Sequence, residues 1–155
     1  MVLLCGIQGA GKSELVESYL ASGYERLNRD DLGGKLDDLV EKLDSMLGEG
    51  RQRVVLDNTY PTQVSRCPII IVAHAHGVPV RCRHLKTSLK DAQVNVASRV
   101  LERYGKLLDP DERKELSKTD PNLPPPAALR QYTYIFEKPS PVSYTHLTLP
   151  TTPYV

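Results

Sequence analysis

Residues 6–13 read Gly-Ile-Gln-Gly-Ala-Gly-Lys-Ser, and no other stretch of the chain limits its fold as strongly. The spacing is G-x-x-x-x-G-K-[ST], a loop that wraps backbone N–H groups around phosphate oxygens. Its glycines let the backbone turn those groups inward. A helix starting near Lys12 adds the positive end of its dipole. The flanks agree. Val2–Cys5 is a short apolar run that reads as a buried parallel strand. After Ser13, Leu15, Val16, Tyr19 and Leu20 share one helical face, and Gly23 is the stop. In such a loop Gly6, Gln8, Gly9, Ala10, Gly11, Lys12, Ser13 and Glu14 are the nucleotide-binding candidates. Lys12 bridges the β- and γ-phosphates, and the Ser13 hydroxyl ligates Mg²⁺. A nucleoside triphosphate with Mg²⁺ is the expected ligand.

The rest of the chain alternates strands and helices. Tyr24–Leu27 reads as a short strand. Leu36, Leu39, Val40, Leu43, Met46 and Leu47 follow the spacing of an amphipathic helix closed by Gly48 and Gly50. Arg53–Leu56 is a strand that ends at Asp57. Between Thr62 and His76 two signals compete. Ile69 to Val72 favour a strand and Pro68 disfavours a helix interior, but a crossover is needed before the next strand. A helix capped by Thr62 is expected. Val80–Lys86 then reads as a strand and Leu89–Leu108 as a long helix. Asp109–Pro126 is charged and proline-rich, which reads as a loop or lid, and a short helix is expected over Ala127–Phe136. This order predicts a doubly wound α/β fold with a mostly parallel sheet and right-handed crossovers.

Three further groups carry chemistry. Asp57 ends a strand in VVLDNT, at the edge where α/β proteins bind ligands. It is a candidate for Mg²⁺ or substrate, and an Asx turn with Asn58 and Thr59 is the alternative. Asn28-Arg29-Asp30-Asp31 follows the second strand at the same edge. One of its carboxylates can accept the proton of an attacking hydroxyl, or cap the Leu36–Leu47 helix. Arg99 and Arg103 lie one helical turn apart and can stabilise a transferring phosphoryl group, or form a solvated face. Arg66 and Arg130 are weaker candidates for phosphate or nucleic-acid contacts. His74, His76 and His84 show no partner pattern.

At 155 residues the chain is one domain, and its net charge of +1 announces no broad basic face for duplex binding. Cys5, Cys67 and Cys82 lack metal-ligand spacing and read as small buried hydrophobes of a cytoplasmic protein. No apolar run is long enough to span a membrane. Val142–Thr151 reads VSYTHLTLPT, which back-translates as an in-frame read through a sequencing adapter. Residues 1–141 are therefore expected to form the domain, without its last strand, and 142–155 a non-native tail.

The segments GIQGAGKS, LNRDDLG, VVLDNTYPTQVSR and GVPVRCRHL together resemble the kinase domain of polynucleotide kinase/phosphatases. The likeness runs from about Leu3 to Pro139. It implies a P-loop fold of the nucleoside-kinase type. It also implies transfer of the γ-phosphate of ATP to the 5′-hydroxyl end of DNA or RNA. By resemblance Asp30 is the general base, and Lys12 and Ser13 are the nucleotide and metal contacts. Asp57 is the aspartate of the D-N-T element, and Arg99 with Arg103 are the lid arginines. Arg29, Asn58, Arg66 and Arg130 join Asp57 as the substrate side. Partnership or fusion with a phosphatase or ligase is the implied setting. Two departures stand out: Tyr60 replaces the second Asn of D-N-T-N-P, and Tyr104–Pro126 is longer than the pattern. Two other readings remain open, a kinase of a small alcohol and a nucleotide-binding fragment that transfers nothing.

Overall fold

A computed structural model describes residues 1–33, 36–120, 123–125 and 127–140. The residues expected to form the tail lie outside this set. Four strands form one parallel sheet: β1 (Val2–Cys5), β2 (Glu25–Leu27), β3 (Val54–Asp57) and β4 (Arg81–His84), in the order β2-β3-β1-β4. Val2 pairs with Val55 on one side and with Arg81 on the other.

The sheet is covered on both faces because its central strands are apolar on both. Val2, Leu4 and Val55 pack against Val16 of α1 (Lys12–Ala21). Leu3, Cys5, Val54 and Leu56 point the other way. They meet Leu39, Leu43, Met46 and Leu47 of α3 (Leu36–Gly48) and Ile69 and Ala73 of α4 (Gln63–Ala75). Leu39, Leu43 and Ile69 are fully buried, each stabilising the fold by about 1.5–3 kcal/mol relative to exposure. The expected fold class is thus present.

The α4 helix forms despite Pro68 because its start is closed on both sides. Thr62 Oγ1 accepts from the Ser65 N–H, and Ser65 Oγ accepts from the Thr62 N–H. Burial of Ile69 and Ala73 then outweighs the N–H that Pro68 lacks.

Three segments differ from expectation. Residues 29–32 form a short helix, α2 (Arg29–Leu32), whose start is capped by Asn28. The α5 helix (Leu89–Tyr104) stops four residues early, because Gly105 takes a left-handed conformation at φ 71°. Part of the expected loop is a helix, α6 (Pro110–Leu116). The Asp109 carboxylate accepts from the N–H groups of Asp111 and Glu112, and Pro110 starts the first turn. The last helix, α7 (Ala128–Ile135), falls where expected. A third apolar cluster joins Ile7 to Ala92, Val96 and Val100 of α5 and to Leu129 and Tyr132 of α7.

The sheet order places the site. The β1–α1–β2 crossover leads past β3 to one edge, while β3–α4–β4 leads past β1 to the other. The chain therefore turns in opposite directions after β1 and β3, and a crevice opens at their carboxyl ends.

Candidate active site

That crevice is a cleft of about 560 Å³. The loop after β1 forms one wall, and there the backbone is special. Gly9 and Gly11 have φ of 82° and 86°, in the left-handed region. Gly9 is fixed twice over, because a Cβ there would lie 2.6 Å from the Ala92 carbonyl oxygen. Gly11 is the N-cap of α1 and offers no side chain to its first turn. Thr62, Ser88 and Asp109 do cap α4, α5 and α6. The first N–H groups of α1 are left for an anion.

Lys12 lies across this loop. Its Nζ donates to the carbonyl oxygens of Gly6 at 2.7 Å and Ile7 at 2.9 Å. Burial pulls its pKa down to about 8, with the neighbouring Arg99 adding to the shift and Asp57 opposing it. From behind, α5 and the residues just before it brace the loop. Asn95 Nδ2 donates to the Gly9 carbonyl at 2.8 Å, and Thr87 Oγ1 donates to that of Ala10 at 3.2 Å.

The acidic wall is a network. Asn28 Oδ1 accepts from the Asp30 N–H at 2.7 Å, and Asn28 Nδ2 donates to the Asp57 carbonyl oxygen. Asn58 Oδ1 accepts from the Arg29 N–H at 3.2 Å, and its Nδ2 donates to Tyr60 Oη at 3.1 Å. The start of α2 is thereby tied to the loop after β3, which presents Asp30 at the cleft. Tyr60 is buried with φ 41°, a left-handed conformation rare for a tyrosine. The conformation is held from below, where Arg66 Nη1 donates to the Tyr60 carbonyl at 2.8 Å.

Arg26 joins the two carboxylate groups. Its Nε and Nη2 donate to Asp57 Oδ2 at 3.0 and 2.7 Å, and its Nη1 donates to Asp31 Oδ2 at 3.0 Å. Asp30 instead meets its neighbour Arg29, at 3.4 Å.

Twelve of the residues offered by the sequence as candidates for chemistry line this one cleft: Gln8, Gly9, Gly11, Lys12, Ser13, Asn28, Arg29, Asp30, Asp31, Asp57, Asn58 and Arg99. The others stand elsewhere. Gly6 and Ala10 shape the loop from beneath, and Glu14 is exposed on α1. Arg103 lines an adjoining recess and pairs with Asp120 at 3.0 Å. Arg130 is exposed on α7 and is not part of the cleft wall. Arg66 is a correction. It is fully buried and donates to the carbonyls of Tyr60 and Glu137, so it staples two loops together and cannot reach a phosphate. Neither is Asp30 the cap of α3, because it lies in the first turn of α2.

Four cleft or bracing residues escaped the sequence reading: Arg26, Thr87, Asn95 and Asp120. Asn95 alone left a trace, one turn before Arg99 and beside Ala92 on the stripe that faces the loop.

No protein-family model matches the chain. The bifunctional polynucleotide phosphatase/kinase of Schizosaccharomyces pombe is 37% identical over 109 residues, 70% of this chain. The chain is a relative of the polynucleotide phosphatase/kinases. It spans 26% of the length of that relative. In the solved structure of the Pnkp1/Rnl/Hen1 RNA repair complex, one chain superposes with a TM-score of 0.57 at 15% identity. That match covers 86% of this chain and 44% of the other. The structure of APE1195 matches with a TM-score of 0.52 at 18% identity, over 90% and 79% of the two chains. Both likenesses concern the fold, a P-loop α/β domain. Among the described residues no helix is long and apolar enough to cross a membrane.

Proposed function

We propose that this polynucleotide phosphatase/kinase relative transfers the γ-phosphate of ATP to a 5′-hydroxyl end of DNA or RNA. The observation that carries the proposal is the assembly of Lys12, Ser13, Asp30, Asp57 and Arg99 in one cleft, from four places in the sequence. The likeness to a polynucleotide phosphatase/kinase supports the choice of acceptor.

The uncapped start of α1 and the N–H groups of the glycine loop receive the triphosphate. Lys12 exchanges two backbone carbonyls for phosphate oxygens. Asp30 accepts the proton of the 5′-hydroxyl and aims its oxygen at the γ-phosphorus. Arg99, on α5 and near Lys12, balances charge on the transferring group.

Ser13 and Asp57 fit Mg²⁺, which binds through one or two protein oxygens and completes its shell with phosphates and water. Among the described residues no group of three His, Cys, Asp or Glu could hold a metal without nucleotide. When bound with the nucleotide, Mg²⁺ would supply charge neutralisation for the transferring phosphoryl group.

A competition experiment tests the acceptor. Labelled ATP is offered with a 5′-hydroxyl oligonucleotide, its 5′-phosphorylated twin and a panel of sugars and other small alcohols. Label is expected on the 5′-hydroxyl oligonucleotide alone. Transfer to a small alcohol instead would make this a small-molecule kinase.

A further inference from the structure

Arg26 is placed by its strand and not by its own charge. It sits on β2, one residue before the buried Leu27, and Arg26 pairs with Val55 in the sheet register. Alternation along the strand sends its side chain away from the α3–α4 core and to the cleft, where it is 35% exposed. There the guanidinium meets two carboxylates from different loops. Two of its nitrogens converge on one oxygen of Asp57, a residue with a 6% exposed side chain, and the third holds Asp31. Asn28 Nδ2 approaches the same Asp57 oxygen at 3.4 Å. One arginine thus supplies a positive charge at the carboxylate where a cation would bind. It also ties down Asp31 and not Asp30.

We propose that Arg26 is a positioning residue that stands in for the cation at Asp57 in the nucleotide-free chain, so that the carboxylate binds a divalent ion only when nucleotide delivers it. This rests on the reading of Asp57 as a metal contact given above. The physical reason is charge. A dication brought to Asp57 lies within a few ångströms of a guanidinium, and the repulsion offsets much of its attraction to the carboxylate. Phosphates carry enough negative charge to reverse that balance. The benefit is order. A metal held alone at Asp57 would leave the loop before nucleotide arrived, or block it.

The test needs no turnover. Mn²⁺ is titrated into the nucleotide-free protein, and binding is followed by electron paramagnetic resonance and calorimetry. The wild type is expected to bind weakly. Arg26→Gln is expected to bind Mn²⁺ about tenfold more tightly or better, given the size of a charge–charge term at this range in water. The gain should vanish in the double variant Arg26→Gln with Asp57→Asn. Equal affinity in wild type and Arg26→Gln would overturn the proposal, as would a gain that survives loss of Asp57. Circular dichroism checks that each variant is folded. Arg26→Met, which removes the charge but keeps an unbranched apolar stem, stands in if Arg26→Gln does not fold. It should gain as much as Arg26→Gln, because the repelling charge is gone, and wild-type affinity there would equally overturn the proposal. Neither nucleotide nor acceptor is present in these titrations. Failure of phosphoryl transfer would leave their result intact, and failure here would leave the transfer assay intact.

Discussion

In the proposed reaction Lys12 and Asp30 are the two side chains closest to the chemistry, and each makes a separate prediction. Burial depresses Lys12 to about 8 from an ordinary 10.5. In the free protein its charged form is a cost to stability below pH 8, and that cost shrinks as pH rises from about 8 towards 10.5. A triphosphate beside the ammonium favours the charged form and restores the proton. Nucleotide binding at pH 8.5 should therefore take up protons. Calorimetry in buffers of different ionisation enthalpy measures this, and the uptake should be lost in Lys12→Met. Asp30 and Asp31 are adjacent, but only Asp31 is held by Arg26. Asp30→Asn should lower the turnover rate by about 10²–10⁴-fold with ATP affinity unchanged. Asp31→Asn should cost far less. A turnover rate lowered as much by Asp31→Asn as by Asp30→Asn would refute this division of labour.

The α5 helix organises the site at the scale of elements, because it supports the phosphate loop from behind. Its buried stripe of Ala92, Val96 and Val100 follows helical spacing in the sequence. The bond from Asn95 to the Gly9 carbonyl was not legible there. A polar residue beside an apolar stripe does not announce which carbonyl of a distant loop it will meet. Gly9→Ala should abolish nucleotide binding, since its Cβ would strike the Ala92 carbonyl and its φ is left-handed. Asn95→Ala, which only loosens the brace, should weaken binding by about tenfold or less, in line with loss of one hydrogen bond of about 1 kcal/mol. Equilibrium binding of a fluorescent nucleotide separates the two. Arg66 shows the opposite failure. Arginine near a ligand edge reads as a phosphate contact, yet α4 turns this one inward onto two backbone carbonyls. Arg66→Ala should cost roughly 2–4 kcal/mol in denaturant unfolding, through loss of two charge-assisted bonds and the space they fill.

The doubly wound order was readable for the whole molecule because each strand–helix alternation has a physical signature. Apolar runs bounded by glycine or aspartate gave way to a 3.6-residue period, and only right-handed crossovers connect them. The order in turn brings Gly6–Ser13, Asn28–Asp31 and Asp57–Tyr60 to one edge. What sequence order does not encode is the pairing across that edge. Arg26 meets Asp57 across 31 residues. The α6 helix was hidden by its charges and prolines, although Asp109 and Glu112 form a complete capping box with Pro110 in the first turn. The choice of a nucleic-acid end as acceptor comes from the relative's kinship and not from composition, since a net charge of +1 favours no polyanion.

The proposal that this cleft moves a phosphoryl group onto a 5′-hydroxyl with Asp30 as base stands or falls on single-turnover transfer from γ-labelled ATP to a 5′-hydroxyl oligonucleotide, run side by side for the wild type and Asp30→Asn. The wild type is expected to label the oligonucleotide, and the variant to do so about 10²–10⁴-fold more slowly at equal ATP occupancy. No label from a wild type that binds ATP, or equal rates from the two proteins, would contradict it.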